Sequence, residues 1–304
     1  MICLAAPAQA TYPGTNGRIA FTRFTPGSAD AALVTANPDG TDVEQVFQGP
    51  TYCPEWSPDG TRLAFTIATA DVGLIAISDA DGGNLQILGP GECASWSRDQ
   101  SQLVFDFSAD DPADPNFSTA LWVMNSDGTG RHQLLAPAKS GFDVEPRWSP
   151  TANLITYVRI HKFVPGVQQE AVFTVNADGT DVRQLTSNGL APEHPTWSPD
   201  GRWIVFDDAS FKPGAHETIW KMRADGTRRH VVYQGTSNTG GVKPQFSPDG
   251  THILFACITY GSAFGAGHTE DICTMRADGS QLVDVTNTHQ AFENNPAWQP
   301  APAS

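Results

Sequence analysis

The stretch CPEWSPDGTRLAF, residues 53–65, decides the fold because it recurs along the chain. Its fullest further copies are HPTWSPDGRWIVF (194–206) and KPQFSPDGTHILF (243–255), and weaker copies begin at residues 93 and 145. A sixth copy, NPAWQP (295–300), is cut short by the C-terminus, and its missing second half stands at the other end as TNGRIAFTRF (15–24). A repeat divided between the two termini predicts a ring in which both chain ends complete one unit.

An Asp-Gly turn follows each copy and confirms the period. The six aspartates of these turns are 42 to 53 positions apart, a spacing typical of propellers and solenoids. Alternating apolar residues flank the turns, as in VFTVNADGTDVRQLT (172–186). This pattern predicts a β-hairpin, since glycine accepts the positive φ that the turn requires.

Each unit therefore contains four short strands. Strand A carries the tryptophan, strand B follows the Pro-Asp-Gly turn, strand C leads into the Asp-Gly turn and strand D leaves it. Four strands repeated radially form a propeller blade, and closure of the ring removes unpaired sheet edges. The sequence predicts one all-β domain over residues 11–304, a six-bladed β-propeller with four-stranded antiparallel blades, closed by the N- and C-terminal strands.

One aromatic residue occupies the same place in every copy. Two interpretations are open, a ring that stacks sugars and packing between blades. A fixed position in the repeat favours packing, because a buried tryptophan hides roughly 150–250 Å². The series is Trp56, Trp96, Trp148, Trp197, Phe246 and Trp298.

The charge and the N-terminus restrict the environment. A net charge of −15 argues against nucleic acid, whose binding requires a basic face, and against anionic membranes. No apolar run approaches the length of a transmembrane helix. Residues 1–10 end in Ala8-Gln9-Ala10, which resembles a secretory cleavage site and predicts a truncated signal peptide. We expect a monomer in the periplasm or secreted.

The cysteines suit an oxidising compartment, because four remain after Cys3 is removed with the leader. Cys257 on strand B and Cys273 on strand C are predicted to face each other and form a disulfide. Cys53 and Cys93 start neighbouring A strands, and their sequence leaves a disulfide and free thiols equally open.

The residue three places before each aromatic should open strand A at the mouth of the central channel. His194 and Lys243 with Glu145 as partner would suit proton abstraction. A hydrated channel mouth with a Glu–Lys interaction is the favoured alternative. The predicted ring is Cys53, Cys93, Glu145, His194, Lys243 and Asn295.

The connections from B to C and from D to A should share one face, called here the loop face, and loops are where binding residues concentrate. Phe211 and Tyr260 in these loops could form a contact surface or fold back onto the blades. His161, His216 and His268 could join His194 in a Zn²⁺ or Mn²⁺ site, although loop histidines are most often solvated. The acidic loop at 106–116 could take Ca²⁺, but its spacing favours a solvated loop. No cofactor is expected unless one of these divalent metals binds.

The pairing of WSPDG-type and N-x-D-G-T-type segments over residues 15–300 resembles the TolB-like β-propeller repeat. TolB has an α/β domain before its propeller and works in the periplasm with a lipoprotein. The sequence shows no counterpart of that domain, so the partner is not carried over. Related propellers accompany peptidase domains, but no G-x-S-x-G motif is present here. The resemblance also extends to an oligogalacturonate lyase with a histidine-held metal.

These observations favour an exported binding or scaffold module that engages a protein or glycan at the loop face. The alternative is a metal-dependent polysaccharide lyase or hydrolase with its site at the channel mouth. Whether the chain is an enzyme stays open, with binding favoured.

Overall fold

The computed structural model describes residues 12–25, 31–108, 118–136, 141–161, 170–187, 189–208, 216–261, 268–288 and 291–301. Every regular element in these ranges is a β-strand. In the same ranges, no helix is long and apolar enough to cross a lipid bilayer.

Four separate sheets contain four strands each, paired in chain order. The first is β4 (Thr51–Trp56), β5 (Arg62–Ala68), β6 (Gly73–Asp79) and β7 (Gln86–Pro90). The second is β8 (Glu92–Trp96), β9 (Gln102–Phe107), β10 (Ala120–Asn125) and β11 (His132–Gln133). The third is β12 (Gly141–Trp148), β13 (Leu154–His161), β14 (Glu170–Asn176) and β15 (Arg183–Gln184). The fourth is β16 (Pro192–Trp197), β17 (Trp203–Asp208), β18 (Thr218–Arg223) and β19 (His230–Tyr233).

The remaining strands form one eight-stranded sheet that consists of two antiparallel groups. One group is β20 (Thr239–Phe246), β21 (His252–Tyr260), β22 (His268–Arg276) and β23 (Val283–Asp284). The other is β24 (Phe292–Pro300), β1 (Asn16–Phe24), β2 (Ala31–Ala36) and β3 (Glu44–Gln48). A single parallel pair, Glu270 opposite Phe292, joins β22 to β24.

The predicted all-β propeller with four-stranded antiparallel blades is therefore confirmed. The first strand pairs with the last, from Asn16 opposite Pro300 to Phe24 opposite Phe292. The count of six blades and the closure of the ring remain predictions.

Part of the negative charge comes from aspartates that hold the Asp-Gly turns together. The Asp39 carboxylate accepts hydrogen bonds from both the amide and the hydroxyl of Thr41, which lower the pKa of Asp39. Gly40 has φ +82°, and a Cβ there would lie 2.3 Å from the carbonyl oxygen of Val285. Glycine at this point therefore serves both the turn and the close approach of the neighbouring strand.

The aromatic series lies in the core, which confirms packing rather than a sugar-stacking ring. The five tryptophans and Phe246 are all at most 6% exposed. The indole of Trp96 donates to the Glu55 carbonyl at 3.3 Å, and that of Trp197 donates to the Arg147 carbonyl at 3.1 Å. Each bond runs to strand A of the adjacent sheet, so these side chains tie neighbouring sheets together.

Candidate functional site

The residues three places before the aromatics share one backbone conformation. Each has a positive φ, and the pairing of strands A and B shifts register there, as between Tyr52 and Glu55. Such a β-bulge bends the strand and re-aims one side chain. A non-glycine residue in this region costs on the order of 1 kcal/mol, so the repeated geometry is built into the fold. The φ values are 51° at Cys53, 48° at Cys93, 55° at Glu145, 51° at His194, 55° at Lys243 and 53° at Asn295.

These bulges converge on a narrow polar cavity on the channel axis. Four of the six predicted residues line it, namely Cys53, His194, Lys243 and Asn295, together with Arg147. The other two are attached to them directly, because Glu145 contacts His194 and a disulfide joins Cys93 to Cys53. The six repeat positions therefore lie together, four in the wall of one cavity and two bonded to that wall.

His194 is held between two carboxylates. Its Nε2 lies 3.1 Å from Glu145 Oε1, and its Nδ1 lies 2.9 Å from Asp207 Oδ1. The backbone amide of His194 donates to Glu145 Oε2 at 2.6 Å. Asp207 lies near the end of β17, and its carboxylate also accepts a hydrogen bond from the backbone amide of Lys243 at 3.0 Å. These bonds fix the imidazole and join three sheets at the channel mouth.

The surrounding charges keep this histidine protonated. Burial disfavours its charge, but the carboxylates of Glu145 and Asp207 outweigh burial and raise the pKa of His194 to about 10. Burial likewise opposes ionisation of Glu145, and the imidazolium outweighs it and lowers the pKa of Glu145 to about 2. At neutral pH both ring nitrogens therefore donate protons, and neither can accept a proton or bind a metal in this state.

The pairing of Glu145 differs from the favoured hypothesis of a Glu–Lys interaction. Glu145 pairs with His194 instead, and the ammonium of Lys243 makes no ion pair within 4 Å in the described ranges. Lys243 therefore lines the cavity as a cation free to meet an anionic group.

Of the four histidines predicted for a metal site, His194 alone belongs to a metal-capable group among the described residues. Ligand atoms of Glu193, His194 and Asp207 lie within 4.8 Å of one another. His268 instead contacts Glu270 at 3.2 Å, and His216 does not belong to any metal-capable group found in the described part of the chain. The side chain of His161 lies outside the described residues.

Glu193 is the residue of this cluster whose pKa lies closest to neutral pH. Burial raises its pKa most, and the carboxylates of Asp207, Glu145 and Glu170 add to this effect. His194 opposes them, and the resulting pKa of Glu193 is about 7. Its Oε2 lies 3.9 Å from His194 Nδ1.

A second ring, which the sequence analysis missed, lies one residue before the aromatics. The buried Glu55 carboxylate accepts the Ser95 hydroxyl at 2.8 Å and lies 3.3 Å from the Arg147 guanidinium. Gln245 and Thr196 occupy equivalent places and line the deeper channel with Arg147. The repeat carried the signal for this ring, because every copy places one residue immediately before its aromatic.

An aromatic patch lies on the loop face, where β1 and β21 end and β22 and β24 begin. We call Phe24, Tyr260, His268 and Phe292 the loop-face aromatic patch. The ring of Phe292 lies 6.4 Å from Phe24 and 5.2 Å from His268, and His268 lies 6.0 Å from Tyr260. Phe24 is 43% exposed. Tyr260 was a predicted contact residue, whereas Phe211 lies outside the described residues.

Two disulfides join strands in the described residues, and one of them includes the cavity residue Cys53. Cys257 and Cys273 are joined across β21 and β22, with Cα atoms 5.7 Å apart. Cys53 and Cys93, left open by the sequence, are joined with Cα atoms 5.0 Å apart. The two A strands come this close because both cysteines stand at bulges facing the channel. Cys53 and Cys93 are thus bridged wall residues rather than free thiols.

The fold and the channel define the class of protein, a β-propeller with a polar axial site. TolB and TolB-like β-propeller proteins are its structural neighbours and named relatives, so the predicted resemblance is confirmed. No protein-family model matches the chain.

The relatives share sequence over only part of their length. The Tol-Pal system protein TolB of Anaeromyxobacter dehalogenans (strain 2CP-C) is 30% identical over 114 residues, 38% of this chain and 23% of that protein. An uncharacterized protein of Agrobacterium fabrum is 28% identical over 159 residues, half of each chain. The matches thus span half or less of these relatives.

Solved structures match most of the chain. TolB from Acinetobacter baumannii superposes with a TM-score of 0.73 at 19% identity, covering 93% of this chain and 67% of that one. An oligogalacturonate lyase in complex with manganese superposes with a TM-score of 0.53 at 14% identity, covering 90% and 74%. At these identities the likeness concerns the fold.

Proposed function

We propose that the chain is an exported, monomeric, six-bladed β-propeller that binds a protein at its loop face. Six blades are supported by the four separate sheets and the two four-stranded groups of the eight-stranded sheet. The extended pairing of β1 with β24 supports a ring closed by the terminal strands. Two disulfides and the resemblance to a Tol-Pal system protein support the periplasm or a secreted state.

The loop-face aromatic patch carries the binding proposal. Phe24 is exposed and the other three rings lie half-buried beside it, and aromatic side chains contribute much of the binding energy of interfaces. The ring of His268 is held by Glu270, whose carboxylate lies 3.2 Å from His268 Nε2 and also accepts a hydrogen bond from Asn294. A rigid patch loses little side-chain entropy when a partner covers it. A glycan could stack on the same rings and is the other ligand to screen.

Truncation of this patch should weaken partner binding. We expect the double variant Phe24→Ala/Phe292→Ala to raise the Kd of a partner isolated by cross-linking in the native envelope about thirtyfold, or about 2 kcal/mol. Surface plasmon resonance with purified partner measures the change. Leu282→Ala is the matched control, because Leu282 is 52% exposed beyond the Asp-Gly turn that precedes β23. Equal affinities of the double variant and the wild type would refute the proposal.

The enzyme alternative rests on the group formed by Glu193, His194 and Asp207. A Mn²⁺ or Zn²⁺ ion there would hold an acidic polysaccharide, with Lys243 placed to meet its carboxylate. The metal would have to displace the proton that both carboxylates stabilise on His194.

We therefore expect untagged protein to contain no stoichiometric Mn²⁺ or Zn²⁺ by elemental mass spectrometry. One equivalent that is retained by the wild type and lost in His194→Ala would instead support the lyase or hydrolase. Glu193→Gln further distinguishes metal-bound from metal-free protein. It removes one metal ligand but leaves the contacts of His194 with Glu145 and Asp207 in place, so it should lower the metal content only if a metal binds there.

A further inference from the structure

A pocket of about 350 Å³ opens beside the channel, where the sheets β4–β7 and β8–β11 meet. It shares no lining residue with the channel cavity among the residues described. Its polar lining consists of the acids Asp71, Glu92 and Asp106 together with Ser108 and Thr119. Its apolar wall includes Val72, Phe107 and Val144. The volume is that of a site for a small organic molecule.

Asp106 is the buried acid of this pocket, only 4% exposed. Its Oδ1 accepts the backbone amide of Glu145 at 3.1 Å. In the described ranges its Oδ2 has no hydrogen-bond partner, and no basic side chain comes within 4 Å of the carboxylate. A buried carboxylate without a counter-charge is costly, so this oxygen is a vacant acceptor inside a cavity.

The groups around Asp106 make the pocket more negative. Burial raises the pKa of Asp106 well above its ordinary value, and the Glu92 and Glu145 carboxylates raise it further, while Arg147 and the Glu145 amide oppose them. Burial and the neighbouring Glu92 carboxylate raise the pKa of Tyr52, which places the Tyr52 hydroxyl beside Glu92. A positively charged group in the pocket would relieve this repulsion and favour ionised Asp106.

The three acids are too far apart to bind one metal ion together, so their spacing favours an organic cation. Ligand atoms of Asp71, Glu92 and Asp106 do not come within 4.8 Å of one another as a group in the part of the chain described, so a single ion cannot collect them. The space between them is bounded by Gly73 and Gly91, whose backbones are joined by a 2.9 Å hydrogen bond. A Cβ on Gly73 would lie 2.6 Å from the Tyr52 hydroxyl, so only glycine lets the Tyr52 and Glu92 side chains pack this closely against the backbone.

We propose that this pocket binds an alkylammonium group, with the ammonium on Asp106 and the aliphatic chain against Val72, Phe107 and Val144. The ammonium would donate a charge-assisted hydrogen bond to the vacant oxygen. Glu92, which is paired with Asp106 on the neighbouring strand, would add attraction from the same wall. The group could come from a free alkylamine or from a lysine side chain.

Isothermal titration calorimetry with n-butylammonium chloride tests the proposal, with n-butanol and sodium butyrate as neutral and anionic matches. We expect saturable binding of butylammonium alone, weakened at least tenfold in Asp106→Asn. That variant keeps an oxygen for the Glu145 amide and removes the charge. Asp181→Asn is the matched control, because Asp181 is an exposed turn residue paired with Arg183, and its affinity should match the wild type within twofold.

A second variant tests the pocket independently in case Asp106→Asn does not fold. Val72 is 48% exposed at the rim, so Val72→Arg places a tethered cation over the pocket without disturbing the core. We expect it to abolish butylammonium binding. Absence of saturable binding to the wild type, equal binding of n-butanol, or unchanged affinity in folded Asp106→Asn and Val72→Arg would each overturn the proposal. Binding of N-acetyl-lysine N-methylamide as tight as that of butylammonium would assign the site to lysine side chains, and binding of butylammonium alone would assign it to free amines.

Discussion

Replacement of Trp96 by alanine should lower the free energy of unfolding by about 4 kcal/mol, the loss typical of a fully buried large side chain. Trp96 is fully buried and packs in one cluster with Ile75, Leu103 and Phe105. The variant would also lose the indole hydrogen bond to the Glu55 carbonyl in the adjacent sheet. Urea denaturation followed by circular dichroism measures the change, because the midpoint falls while the slope reports cooperativity.

Trp203→Ala is the matched control for residue type. Trp203 is partly exposed, and the charged ends of Lys221 and Arg223 lie over its ring at 4.8 and 5.2 Å. Its loss should cost about 1 kcal/mol, as for most residues outside the core. If Trp96→Ala were as mild as Trp203→Ala, the repeated tryptophans would not be the packing element between sheets.

The sequence predicted the fold well because the repeat fixes local chemistry at a known spacing. The tryptophan of strand A has to be buried in every unit because it is large and apolar. Each Asp-Gly turn needs a glycine that adopts a positive φ, as Gly82 does at +87°. Both requirements are satisfied by residues close in sequence. The same register located the ring that includes His194 and Lys243.

The partners of these side chains could not be predicted from the repeat. Asp207 is 13 residues after His194 and reaches it through the pairing of β16 with β17, whereas Glu145 is 49 residues before it and reaches it only because two sheets pack together. The sequence pattern assigns Glu145 and Lys243 the same place in strand A, which made a Glu–Lys interaction plausible. The acidic pocket depends likewise on three segments, with Asp71, Glu92 and Asp106 on different strands or loops. Phe24 and Phe292 were missed because the sequence predicted the pairing of the terminal strands without its register, which places Phe24 opposite Phe292.

The imidazolium of His194 should make stability depend on pH through this one cluster. Its pKa in the folded protein is about 10, against an ordinary value of 6.5, so its contribution is complete below pH 6.5 and is lost as the pH rises through 10. The pKa of Glu145 is about 2, so its contribution is complete above pH 4.5 and is lost as the pH falls through 2. His194 and Glu145 together therefore stabilise most between pH 4.5 and 6.5. From pH 5.5 to 9.5 we expect the contribution of His194 to fall by roughly 4 kcal/mol.

Unfolding free energies of the wild type and His194→Gln at pH 5.5 and 9.5 isolate this contribution, since the other titrating groups are common to both proteins. The variant should be less stable at pH 5.5, because it leaves Glu145 and Asp207 without a cation, and the two proteins should converge toward pH 9.5. His230→Gln is the control, because His230 is exposed and its ring contacts only the Arg228 carbonyl oxygen among hydrogen-bond partners described. A constant difference between wild type and His194→Gln across this range would mean that folding leaves the pKa of His194 at its ordinary value, so that the imidazole is mostly neutral above pH 6.5. In that case one ring nitrogen would be free to accept a proton or a metal ion, and the enzyme alternative would gain its missing base.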